Sequence, residues 1–262
     1  MQFNATGSNF GRFQMHLYIN KQKMNWFTSA LSSSVGKKIM MALTGLFLCS
    51  FLVVHLIGNL QLLNLDLGIS FNTYAQFMSH NPVVQTISKG NFIIIITHAL
   101  VALFLTRQNA AARPIGYQIK KGSANSSWSS RNMGLLGTIL LVFIAVHLYH
   151  FWWAVHYGGS IPVKEYLTET GDIESYTDLY TAVWFAFRNP FIVGFYVLSM
   201  IAMGYHLYHG FASAFQSLGL NHVKYNFAIK AVGFLFYFVI PAAYAYIPLK
   251  IYFLTCSSSC SH

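Results

Sequence analysis

Charge is scarce in this chain. Lys, Arg, Asp and Glu make up 8% of its 262 residues, where soluble domains carry about 25%. That shortfall excludes an ordinary water-soluble globule. Acids are the rarer of the two charged classes, six Asp and Glu against sixteen Lys and Arg. The formal net charge of +10 does not make a nucleic-acid binder, because so few charges build no long basic stripe along phosphates. Cysteine is rare too. Three Cys in no metal-ligand cluster give neither a zinc site nor a disulfide framework. What the chain has is 55% hydrophobic residues, 23 Phe, 16 Tyr and, against six acids, 11 His. The expected class is an all-α, multi-pass membrane protein.

Five apolar stretches carry that expectation, at 39–63, 91–106, 133–155, 191–215 and 227–254. About 20 helical residues cross a hydrocarbon core of about 30 Å. The second stretch is long enough if Ile87 and Ser88 join it and Lys89 snorkels outward. Pro241 and Pro248 should kink the fifth or end it early. The first is no cleaved signal peptide, since its apolar run is too long and no small-residue cleavage site follows. Residues 1–31 read as a flexible tail, 32–255 as one membrane domain and 256–262 as a polar tail. A disulfide between Cys256 and Cys260 is open to that last tail.

Basic residues set the expected direction. Arg12, Lys21, Lys23, Lys37 and Lys38 precede the first span. Arg107, Arg113, Lys120, Lys121 and Arg131 lie between the second and third, and Lys224 between the fourth and fifth. The positive-inside bias places these in the cytoplasm, with the N-terminus, and the C-terminus outside. All six acids (Asp66, Glu165, Glu169, Asp172, Glu174 and Asp178) fall in the two outer loops.

Histidine is the informative residue. His55, His98, His147 and His206 lie one on each of four successive spans, deep in apolar sequence. A single such residue reads as a helix–helix hydrogen bond; ionisable groups on four spans read as functional. Counting from the inner ends, His55 lies about 25 Å along span one and His147 about 24 Å along span three. His98 lies only about 13 Å from Arg107, and His206 about 24 Å inward from Pro190. Depth therefore sorts them into an outer pair, His55 with His147, and an inner pair, His98 with His206. Spans one and three also repeat: Gly45, Phe51 and Val54 precede His55 as Gly137, Phe143 and Val146 precede His147. Gly45 and Gly137 leave room for a flat ring against the backbone, although small residues also serve simple helix packing.

Two His ligands from facing helices fit a six-coordinate haem iron. Two haems at two depths would then conduct electrons across the membrane. A rival use is a His-rich membrane di-iron oxygenase, because His147-Leu-Tyr-His150 and His206-Leu-Tyr-His209 each put two imidazoles on one helix face. Such a site also needs carboxylates or more histidines, and no Asp or Glu lies within a span. On the haem reading, His150 and His209 bond a propionate or a carbonyl. A third reading is a transporter or structural anchor whose histidines only pack.

The chain resembles the single-chain, di-haem cytochrome b subunit of succinate:quinone oxidoreductases, the succinate dehydrogenases and quinol:fumarate reductases. The resemblance runs from Ser32 to about Leu254. It rests on the four histidines, on Ser32-Ser-Ser-Val-Gly-Lys-Lys38, on the segment from Phe71 to Pro82, and on Asn189-Pro-Phe-Ile-Val-Gly-Phe-Tyr196 with His206-Leu-Tyr-His-Gly-Phe. It implies that His98 and His206 ligate a proximal haem b facing flavoprotein and iron–sulfur subunits on the cytoplasmic side. It implies that His55 and His147 ligate a distal haem b near the site of a quinone, usually menaquinone. It implies a bacterial cytoplasmic membrane. Association into a higher oligomer is left open. The family often carries an acid shortly before the Pro that opens span two; here Ser79 and His80 precede Pro82, so His80 is the candidate to accept the quinone's proton. No glutamate lies in span four, so a proton route through that span is not supported. Arg131 is the candidate partner of a haem propionate, with Lys37, Lys38 and Arg107 near the same ends.

Overall fold

The computed structural model describes residues 25–64, 66–112, 126–157, 161–167 and 172–259. The tail to residue 24, most of the loop from 107 to 131, and Cys260 lie outside them. The described chain is mostly helical, with five helices long and apolar enough to cross a membrane: Ser34–Leu63, Pro82–Ala111, Met133–His156, Pro190–Ser217 and Val223–Ser257. This is the architecture of a multi-pass membrane protein, in which helices satisfy every backbone group that water cannot reach.

A short helix, α1 (Trp26–Ser32), precedes span one. Helix therefore begins inside the stretch expected to be a flexible tail. Span one is α2 (Ser34–Leu60), closed by a 3-10 turn at Gln61–Leu63. The Ser33 hydroxyl caps it, accepting from the Gly36 N–H at 3.0 Å. Gly36 is required here, because a Cβ would lie 2.1 Å from the Ala30 carbonyl oxygen. Helix α3 (Ile69–His80) leads to span two, α4 (Pro82–Ala111). Spans two and four open with the same device. The Asn81 side-chain Oδ1 accepts from the N–H groups of Val83 and Val84, at 3.0 and 3.2 Å. The Asn189 side-chain Oδ1 accepts from Phe191 N–H at 2.9 Å. Pro82 and Pro190 stand at the first helical position, where an N–H would lack a partner anyway. Span two starts well before residue 91 and takes in Lys89, as its length required.

After a single turn, α5 (Trp128–Arg131), span three runs as α6 (Met133–His147), a π-helical turn at Leu148–Trp153 and a last turn at Ala154–His156. Strands β1 (Val163–Leu167) and β2 (Ile173–Thr177) then pair antiparallel, Val163 opposite Thr177 and Leu167 opposite Ile173. This hairpin adds one short sheet to a described chain that is mostly helical. Its strands are five residues long, too short for a search tuned to membrane-length apolar runs. Helix α7 (Leu179–Ala186) leads to span four, α8 (Pro190–Ser217).

Span five is α9 (Val223–Phe234), a π-helical turn at Leu235–Val239 and α10 (Ile240–Ser259). Its prolines do not end it early. Pro241 cannot donate to the turn before it, and the widened π turn lies immediately upstream. Span four makes room for that turn with Gly204, where a Cβ would sit 2.8 Å from the Tyr237 carbonyl oxygen.

Spans one to four form a ring. Span one packs on spans two and four, and span three packs on the same two. Spans one and three face each other across one diagonal, and spans two and four across the other. Span five packs outside, against spans four and one, where the Tyr244 hydroxyl donates to the Leu52 carbonyl at 2.7 Å. Lys37, Lys38, Arg107, Arg131 and Lys224 share one end of the ring, here the basic end. Asp66, Glu165, Asp172, Glu174 and Asp178 share the other, the acidic end.

A polar latch closes the acidic end. Asn72 of α3 is 1% exposed, and its amide donates to the Tyr166 hydroxyl at 2.8 Å and to the Asp178 carboxylate at 2.9 Å. Its carbonyl oxygen accepts from Tyr180 N–H at 2.9 Å. Asp178 also caps α7, accepting from Thr181 N–H at 3.2 Å. One Asn thus ties the segment between spans one and two to the segment between spans three and four.

Candidate functional site

The two ring diagonals carry the four histidines. Diagonal helices are the farthest apart in the ring, so side chains meet between them only on the bundle axis. His55 and His147 meet there, with ring centroids 5.8 Å apart and planes at 90°. His98 and His206 meet with centroids 6.4 Å apart and planes at 63°. The first pair lies toward the acidic end and the second toward the basic end. A metal–imidazole bond is about 2 Å long, so two rings bound to one metal have centroids about 6 Å apart. Both pairs are spaced for that.

Aromatic rings surround the acidic-side pair. Phe51 stacks on His55 at 5.2 Å and 17°, and Phe143 on His147 at 5.7 Å and 28°. Each is one turn before its histidine, so the sequence repeat recurs as a repeated contact. Phe151 lies edge-on to His147 at 5.4 Å, Tyr244 lies 6.0 Å from His55, and the Tyr196 hydroxyl is 3.4 Å from His147 Nδ1.

The basic-side pair is built differently. The Thr44 hydroxyl donates to the Met40 carbonyl at 2.8 Å, and its oxygen lies 2.9 Å from His98 Nδ1. Gly45 and Gly137 both stand at this pair. A Cβ on Gly45 would lie 3.4 Å from His98 Cε1, and one on Gly137 would lie 3.9 Å from His206 Cε1. The space these glycines leave therefore belongs to the His98–His206 pair, one glycine beside each ring. His206 Nδ1 is buried with no hydrogen-bond partner among the described residues.

The remaining candidates lie apart from the pairs. Arg131 is exposed at the basic end, and its guanidinium donates to the Ser126 carbonyl. His80 is exposed at the end of α3, with Nδ1 3.0 Å from the Gln76 carbonyl and 2.9 Å from the Ser79 hydroxyl. His150 lies in the π turn, and its Nδ1 is buried without a partner among the described residues. His209 is half-buried beyond His206. Among the described residues no three His, Cys, Asp or Glu side chains form a group able to hold a metal ion alone. Each pair offers two imidazoles, so a metal held there would need its remaining ligands from a cofactor.

Sequence reasoning missed Thr44, Tyr196 and Tyr244. The first adjoins Gly45 in the repeat, and Thr at this place against Leu136 in span three was a legible difference. The two tyrosines carried no signal among so many aromatics. Comparison with protein-family models, with curated proteins and with solved structures gives no match.

Proposed function

We propose that this chain is the di-haem cytochrome b membrane anchor of a succinate:quinone oxidoreductase. The observation that carries the reading is the pair of imidazole contacts on crossed diagonals, at two levels of one bundle. His98 and His206 would hold one haem b, and His55 and His147 the other. Each haem, when bound, would supply a one-electron carrier. The chain's own part is to hold the rings' ligands and exclude water. The stacked Phe51 and Phe143 fix the imidazoles of the acidic-side pair, and Gly45 and Gly137 keep the backbone flat beside the other.

On this reading the basic end faces the cytoplasm and receives the iron–sulfur and flavoprotein subunits, in a bacterial cytoplasmic membrane. The acidic end lies outside, and a quinone, menaquinone by family resemblance, exchanges electrons near His55 and His147. His80 accepts the quinol's proton there. Its Nδ1–H is committed to the Gln76 carbonyl, which leaves Nε2 as the basic nitrogen. Arg131 serves a propionate at the basic end.

Membranes carrying the assembled complex test this. Addition of succinate is expected to reduce b-type haem, and H98A to abolish that reduction. Haem that stays oxidised with succinate in the wild-type complex contradicts the assignment. H80A is expected to slow quinol oxidation with both haems retained; an unchanged rate removes His80 from the mechanism.

A further inference from the structure

The two halves of the bundle treat the His98–His206 pair unequally. In the repeat, Thr44-Gly45 of span one corresponds to Leu136-Gly137 of span three, each eleven and ten residues before its histidine. Each glycine lies against one ring of the pair, Gly45 at His98 and Gly137 at His206. The residue before the glycine is where symmetry fails. Thr44 places a hydroxyl oxygen 2.9 Å from His98 Nδ1. Leu136, buried at the matching place, offers no polar group, and His206 Nδ1 finds no partner among the described residues.

The Thr44 hydroxyl proton is already spent on the Met40 carbonyl, 2.8 Å away on the preceding turn. With that bond made, the oxygen is open to accept, and the tautomer with its hydrogen on His98 Nδ1 satisfies both contacts. That tautomer leaves the Nε2 lone pair as the ligating electrons. A hydrogen bond from the far nitrogen also makes an imidazole more basic and a better donor to an oxidised iron. Resting on the haem reading above, we infer that Thr44 is a positioning residue that orients His98 and lowers the reduction potential of the haem on the basic side. The chain Met40 carbonyl, Thr44 hydroxyl, His98 imidazole sets that ligand's strength, and His206 has no counterpart among the described residues.

The purified chain with its haems tests this by redox titration with optical and electron paramagnetic resonance detection. T44V keeps the branched shape and removes the acceptor. It is expected to shift one of two midpoint potentials upward by about tenfold in the reduction equilibrium, about 59 mV for one electron, and to move the low-spin signal of that haem alone. T44S, which restores the hydroxyl, is expected to titrate as wild type. Should T44V fail to accumulate, T44A is read on the same terms. Unchanged potentials and signals in the variant, with two haems bound, overturn the inference while the proposed function stands. An equal shift in T44S overturns it too. A wild-type chain that binds no haem overturns both at the first step.

Discussion

At the scale of single residues, four imidazoles divide into two contacts, and the contacts dictate which variants share a phenotype. On the proposed di-haem reading, H98A and H206A should each remove the same haem, and H55A and H147A the other, lowering the content from about two to about one per chain. A haemochrome assay of the four purified variants reads this directly. Loss of both haems from any single variant with the helices intact would contradict independent sites. The pairing itself was legible in the sequence, because depth along a helix follows from residue count at about 1.5 Å each. Which partners the imidazoles' outer nitrogens take was not. Thr44 reaches His98 across two spans, and the Tyr196 hydroxyl reaches His147 across another two. Contacts between elements depend on the rotation of each helix about its axis, and residue count along one span does not fix that.

Between elements, close approach and buried polar ties set the tolerances. Gly204 lets span four meet the π turn of span five at the Tyr237 carbonyl, and that neighbour is backbone that cannot swing aside. G204A is expected to lose about 1–3 kcal/mol, seen as a lower Tm in detergent. G194A, on the same span with open space beside it, should melt as wild type. Equal melting of the two would refute the packing argument. The latch at the acidic end should respond to pH. Burial acts to raise the Asp178 carboxyl, but hydrogen bonds from Thr181 and Asn72 outweigh it and hold the group below the ordinary carboxylate value. A carboxyl depressed on folding stabilises above its unfolded value, about 3.9, and that contribution is lost as pH falls through the depressed value. Amide exchange in α7 should therefore quicken on acidification below about pH 4, and D178N should flatten that dependence. An unaltered acid profile in D178N would remove Asp178 from the latch. The sequence announced neither the hairpin nor the latch, because Asn72, Tyr166 and Asp178 are 94 and 106 residues apart and carry no shared period. The five spans were legible because twenty apolar residues need no partner to be recognised. Pro241 does not end span five early, because a π turn stands immediately before its helix.

The whole molecule is a ring of four helices with a fifth outside it, and each diagonal of the ring carries one histidine pair at its own level. That arrangement places two imidazole contacts at two levels along the bundle axis. It also explains why the chain tolerates so few charges: its faces meet lipid, and its polar chemistry is confined to the axis and the two ends. The most direct measurement is the reduced-minus-oxidised optical spectrum of the purified chain, with haem counted per polypeptide. The account predicts low-spin b-type bands and about two haems. A colourless protein, or iron without porphyrin, would contradict it.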